Sequence, residues 1–209
     1  MIGLVIGFLI LSLALHEYGH AWMAHKCGDD TAQRMGRLTL NPIAHIDLWW
    51  TIALPAILFL TMGFAFGGAK PVPVVPSQLR HPTRDMMFVA LAGPAMNFFL
   101  AIVFMFAWKS AIYLGDYPDD ALLTLVLWHS IFLNVALGTF NMIPIPPLDG
   151  SRVLSYLLPR SMRDTYNQIE RYGMLIIIVI AWQGGFGPLI IGTVLEIIEL
   201  IHWVTGSFW

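Results

Sequence analysis

The chain has 209 residues, 57% of them hydrophobic and 11% charged, with a mean hydropathy of +0.71 and a formal net charge of -2. A soluble domain carries about 25% charged residues, so this composition excludes water as the main solvent and points to a lipid bilayer. No basic stripe or zinc-finger spacing suggests a nucleic-acid partner, and the single Cys27 excludes an internal disulfide.

In chain order, residues 2–26 read as a first span with a polar cluster near its C-terminal end. No basic n-region or small-residue cleavage signature accompanies it, so a retained helix is expected rather than a signal peptide. Residues 27–49 are polar and mixed; residues 50–66 are apolar but short and carry Pro55. A Gly/Pro-rich connection over 67–84 leads to a long span over 86–114, and Asp116, Pro118, Asp119 and Asp120 form an acidic turn. Residues 121–143 form the next span, which breaks at Pro144, Pro146 and Pro147, and a short helix is expected after Asp149. Residues 172–205 are apolar again, interrupted around Gly184–Pro188, as one kinked helix or two half-helices. The whole is expected to be one integral-membrane domain over 1–209, an all-α polytopic protein with about 4–6 transmembrane or re-entrant helices, each crossing needing roughly 20 apolar residues.

Charge sets the expected orientation. Lys26, Arg34 and Arg37, then Arg80 and Arg84, then Arg152, Arg160, Arg163 and Arg171 mark cytoplasmic loops, and the acidic turn lies outside. A full crossing by 50–66 would break this pattern, so a re-entrant or poorly spanning segment is expected there. Trp49, Trp50, Trp203 and Trp209 fit an interfacial belt.

The chemistry lies in polar residues that a spanning helix should not carry. Each ionisable group costs about 2.5–3.5 kcal/mol on insertion scales, yet the first span ends in His16-Glu17-Tyr18-Gly19-His20. Positions i and i+4 share a helix face, so His16 and His20 can reach one cation. Glu17 lies about 100° around the helix, beside the metal rather than on it, as a general base for water should. The bland alternative is a hydrogen-bonded histidine pair. Catalytic zinc takes three protein ligands and keeps a fourth position open. The candidates for the third ligand are His45, Asp47, His81, Asp85, His129, Asp149, Glu196 and Glu199, and Asp149 is favoured. It follows the proline break, and irregular backbone at membrane depth belongs where it lines a cavity. It could equally cap the helix that begins near Ser151.

Together, H-E-Y-G-H and the downstream Asn141-Met142-Ile143-Pro144-Ile145-Pro146-Pro147-Leu148-Asp149-Gly150 resemble the site-2 protease family of intramembrane metalloproteases. The segments Gly36–Pro42 with His45 and Asp47, Gly68–Val74 and Ala92–Asn97 resemble its compact prokaryotic branch. The resemblance implies one zinc ion per chain held by His16, His20 and Asp149, with Glu17 as general base. It also implies that Asn141 helps bind the scissile carbonyl or its oxyanion, although Asn141 could instead satisfy the broken helix. No PDZ or CBS domain is expected, nor a helix ahead of the H-E-x-x-H helix, which leaves substrate selection and regulation without the family's usual devices.

Peptide hydrolysis needs an extended substrate. Lys70–Pro76, with Pro71, Pro73 and Pro76, reads as an edge strand that could pair with 34–40 in a small membrane-associated β element and clamp a substrate by strand addition. A stiff connector is the alternative. Lys70, Val72, Val74 and Asn97 are assigned to substrate binding. Glu196, Glu199 and His202 read as an interfacial stripe, His129 as a hydrogen-bonded helix residue, and His25, five residues past His20, as facing away. The expected function is an intramembrane zinc endopeptidase in the cytoplasmic membrane, its site towards the cytoplasm and its substrate the transmembrane segment of another protein. The rivals are a transporter, which would show repeat symmetry that is not seen and would not need Glu17, and an inactive homologue.

Overall fold

The computed structural model describes residues 1–63 and 67–206, with the side chains of residues 62, 188 and 189 excepted. Trp209 and the end of 50–66 lie outside the described residues. The helices are α1 (Ile2–Lys26), α2 (Thr31–Arg34), α3 (Leu54–Met62), α4 (Pro82–Tyr113), α5 (Leu122–Asn141), α6 (Asp149–Leu157), α7 (Arg160–Gln168), α8 (Glu170–Trp182) and α9 (Phe186–Gly206). Among the described residues, α1, α4 and α5 are long and apolar enough to cross a membrane.

Their order follows from the contacts. Phe8 meets Phe104 edge-on, and Gly93 lies against His16 and His20, so α1 and α4 run antiparallel. Trp108 meets Trp128 and Phe98 lies against Gly138, which makes α5 antiparallel to α4. A core of Ala101, Met105, Ile131, Val135, Val194, Ile198 and Ile201 joins α4, α5 and α9. Large apolar side chains such as Leu60, Leu175 and Trp203 point outward, as they must where lipid is the solvent. At the far end of the bundle the buried Lys109 donates to the carbonyl of His202 at 2.7 Å, a cation on the last turn of α9.

The segment after Asp47 turns back on itself. Asp47 caps a π-helical stretch, Leu48–Ala53, through the N–H groups of Trp49 and Trp50. With α3, this piece spans no more than about 22 Å at 1.5 Å per residue, short of a bilayer core of about 30 Å. The Gly68 N–H then donates to Trp50 O and the Thr51 hydroxyl to Gly68 O, so the chain returns to the level at which it entered. These bonds support the re-entrant expectation for 50–66, which came from the charges on either side of it. The C-terminal apolar run resolves into two helices, α8 and α9, about a turn at 183–185.

No strand forms among the described residues, and no backbone hydrogen bond there joins 34–40 to 70–76. The reason lies in the donors. Pro71, Pro73 and Pro76 have none, and those of Val72 and Val75 go to side-chain carboxylates.

Candidate metal centre

Two separated pieces of chain meet at one end of the bundle. His16 and His20 project from the same face of α1, and Asp149 from the first turn of α6. The His16 and His20 Nε2 atoms lie 3.0 Å apart, and Asp149 Oδ2 is 3.3 and 3.4 Å from them. A tetrahedral zinc with bonds of about 2.05 Å would have ligand-to-ligand edges of about 3.3 Å.

The donor set itself asks for a cation. His20 Nδ1 is 2.7 Å from Val89 O, which only accepts, so Nδ1 carries a proton and, in the neutral ring that binds a metal, Nε2 has the lone pair. His16 Nδ1 is 2.6 Å from Asn97 Oδ1, with the same consequence. With both rings neutral, two lone pairs face each other, and the third atom, Asp149 Oδ2, is buried without a hydrogen-bond partner. Such an orphan is costly in a dry interior, and a metal ion satisfies all three at once. Zinc fits this donor set.

Close backbone approach makes the meeting possible. A side chain at Gly93 would overlap the His20 ring and press on His16. Pro94, next in α4, withdraws the N–H that Ala90 O would receive. Asp149 reaches the histidines because the chain between α5 and α6 is folded tightly on itself, with a cis Pro146–Pro147 bond. Gly150 lies against the carbonyls of Met142 and Ile143, where a Cβ would collide with backbone.

A cavity of about 350 Å³ opens on the triad, lined by Glu17, Val72, Val74, Asn141 and Arg152 among others. Glu17 is half-buried, and its Oε2 accepts the Val72 N–H at 2.9 Å. Asn141 donates from Nδ2 to Leu137 O at 3.0 Å, satisfying its own helix with one of two amide hydrogens. Lys70 is exposed and outside this lining, its N–H held by His45 O. Asn97 is fully buried behind His16 rather than on the cavity wall. One helical turn away, a second cavity of about 560 Å³ is almost wholly apolar, with Leu9, Leu13, Leu137 and Phe140 in its walls.

The other candidate ligands have different partners. His45 binds Thr39 O, Asp85 binds the N–H of His81 and the guanidinium of Arg84, and His129 binds Leu125 O. Glu196, Glu199 and His202 are exposed. His25 pairs with Asp30, away from the site.

Sequence reasoning gave no role to Asp29. Its carboxylate is fully buried and accepts the Val75 N–H at 2.6 Å and the Thr31 N–H at 2.9 Å. Burial alone would raise this carboxyl, but the hydrogen bonds from Thr31 and Val75 outweigh it and hold it below the usual carboxylate range. The segment 70–76 is thus strung between Glu17 and Asp29.

The fold and site define a membrane protein with a His–His–carboxylate group arranged to hold a metal ion. The profile of Peptidase family M50 matches residues 4–115 and 110–183, and the chain belongs to that family, in agreement with its resemblance to the site-2 proteases. It is 39% identical over 178 residues to YwhC of Bacillus subtilis strain 168, whose name marks it as a provisional zinc metalloprotease; the match covers 82% of this chain and 77% of YwhC. It is 32% identical to Rip2 of Mycolicibacterium smegmatis, similarly named, over 85% of this chain and 66% of Rip2. The zinc metalloprotease MJ0392 of Methanocaldococcus jannaschii is 28% identical over 73% of this chain and 33% of its own length. No solved structure matches the chain.

Proposed function

We propose that the protein is an intramembrane zinc endopeptidase that hydrolyses peptide bonds in or near transmembrane segments of other membrane proteins. The observation that carries this reading is the convergence of three lone-pair donors, one of them an orphaned carboxylate oxygen, beside a second carboxylate, that of Glu17. His16, His20 and Asp149 hold one zinc ion per chain. Bound there, zinc supplies Lewis acidity that makes water acidic enough to lose a proton near neutral pH.

Glu17 takes that proton and returns it to the departing amine. Its position one residue after His16 keeps it beside the ligands and free of them. Asn141 has a second amide hydrogen to offer a carbonyl oxygen as charge develops on it. Val72 and Val74 lie two residues apart, so their backbone groups face the same way in an extended segment, and both line the cavity. A substrate strand laid there competes with Glu17 for the Val72 N–H. The apolar cavity one turn away suits the lipid-soluble flank of such a substrate.

The site lies at the C-terminal ends of α1 and α5 and the N-terminal end of α4. Lys26, Arg34, Arg37, Arg80, Arg84 and Arg152 gather at that end, and the acidic turn 116–120 lies at the other. The charge rule makes the site-bearing end cytoplasmic, in a multi-pass protein of the cell membrane.

The test compares purified wild type with Glu17→Gln on a model single-span protein, with bound zinc quantified in both. Wild type should cut, and the variant should hold zinc and cut about 100- to 10,000-fold more slowly, the usual range for a general base. Equal cleavage by both would remove Glu17 from the reaction. Zinc in both with cleavage in neither, across a panel of spans, would overturn the peptidase reading.

A further inference from the structure

The bundle interior carries two amides and a hydroxyl that no step above uses. Ser12, Asn97 and Asn134 are each 1% exposed or less, on α1, α4 and α5. Polar groups at this depth are costly unless paired, and these pair in a fixed direction. The Ser12 hydroxyl donates to Phe8 O at 2.8 Å, so its oxygen is left to accept. Asn134 Nδ2 donates to it at 2.9 Å and to Ser130 O at 2.8 Å, which turns Asn134 Oδ1 towards α4. Asn97 Nδ2 donates to that oxygen at 3.2 Å, leaving Asn97 Oδ1 at 2.6 Å from His16 Nδ1.

Each link fixes the next. If Asn97 were reversed, two amide oxygens would face each other, and an N–H₂ would face His16. His16 would then have to accept at Nδ1 and carry its proton on Nε2, where a metal ligand needs a lone pair. We propose that Asn97 and Asn134 are positioning residues of the metal centre, which with Ser12 form a one-way hydrogen-bond chain from α1 through α5 and α4 that holds His16 with its proton on Nδ1. The chain starts and ends on α1, so the packing of α4 and α5 is read out at a ligand. Such amides also join helices in membranes, and that role alone would predict a loss of packing without a selective effect on metal. This inference rests on the metal-centre reading above.

The experiment measures zinc affinity of the full-length protein in detergent by competition with a chromophoric chelator, and thermal unfolding of the metal-free protein beside it. Asn97→Ala should weaken zinc about 10- to 100-fold, the usual effect of removing a hydrogen-bond partner of a ligating histidine. Asn97→Asp should stay within a few-fold of wild type, because a carboxyl that keeps its proton donates to Asn134 Oδ1 while its other oxygen accepts from Nδ1–H. Asn134→Ala should show an intermediate loss. Ser130→Ala, whose buried hydroxyl binds only Val126 O, should bind zinc as wild type does. In metal-free protein the ¹⁵N signals of His16 should show the proton on Nδ1, and Asn134→Ala should mix the two tautomers.

Wild-type affinity in Asn97→Ala, or equal losses in Asn97→Ala and Asn97→Asp, would overturn the proposal. If Asn97→Ala does not fold, wild-type affinity and an unmixed tautomer in Asn134→Ala overturn it instead. Absence of zinc binding in the wild type would sink the metal-centre reading, and this one with it.

Discussion

The two walls of the site cavity are built in opposite ways. On one side, α1, α4 and α5 are regular helices locked by a close approach at Gly93 and by buried amides behind His16. On the other, 70–76 has no ladder of its own and hangs from two carboxylates, Glu17 and Asp29. A metal site needs ligands fixed to within a fraction of an ångström, and packed helices supply that. A peptide site needs donors that can change partner. In the proposed function the contact between Glu17 and Val72 is the one exchanged for a substrate, whereas the buried contact between Asp29 and Val75 keeps the segment in place meanwhile.

The sharpest way to break the comparison is at the ligands. Asp149→Ala leaves two imidazoles and no carboxylate. Zinc should be lost and cleavage abolished, while α-helical circular dichroism stays unchanged; retained stoichiometric zinc would exclude Asp149 as a ligand. Gly93→Ala comes next. The added methyl must displace the ligand rings, and overpacking of this kind costs about 1–3 kcal/mol, so the melting temperature and zinc affinity should fall together. An unaffected affinity would show that α4 does not set the ligand geometry.

The other wall should respond in activity and not in metal. Val72→Pro removes one exchangeable donor, worth about 1 kcal/mol. Cleavage should fall roughly 5- to 10-fold with zinc affinity unchanged, and undiminished cleavage by the folded variant would remove strand addition from the mechanism. The smallest effect is expected at Asp29, where Asn keeps one acceptor for two donors. Because the folded carboxyl is held below its ordinary value, its stabilisation is present above the unfolded value of about 3.9 and is lost as pH falls through the folded one. Wild type should therefore lose stability in acid more steeply than Asp29→Asn. Parallel acid limbs in thermal melts would show that Asp29 does not anchor the segment.

Much of the site was legible because it violates its surroundings. His16, Glu17 and His20 stand out in an apolar span, and Asp149 beside a run of prolines. Ionisable residues carry this signal most strongly. Ser12, Asn97 and Asn134 carried the same signal more faintly, as single neutral polar groups in apolar helices, and Asn97 was read as facing substrate when it stands behind His16. Asp29 gave no signal, since an Asp after a helix end is common.

By itself the sequence determined the solvent, the spans, the basic end and the His16–His20 pair, because composition and the 3.6-residue period are local properties. It left 70–76 open between an edge strand and a stiff connector, and the structure shows no ladder there. The tertiary structure decided what lies far apart in the chain: that Asp149, more than a hundred residues downstream, meets the α1 histidines, that Gly68 comes back to Trp50 and Thr51, and that two amides and a hydroxyl on three helices meet behind one ligand. No local pattern encodes these, because each depends on how closely two backbones approach, and that is fixed only when the helices pack.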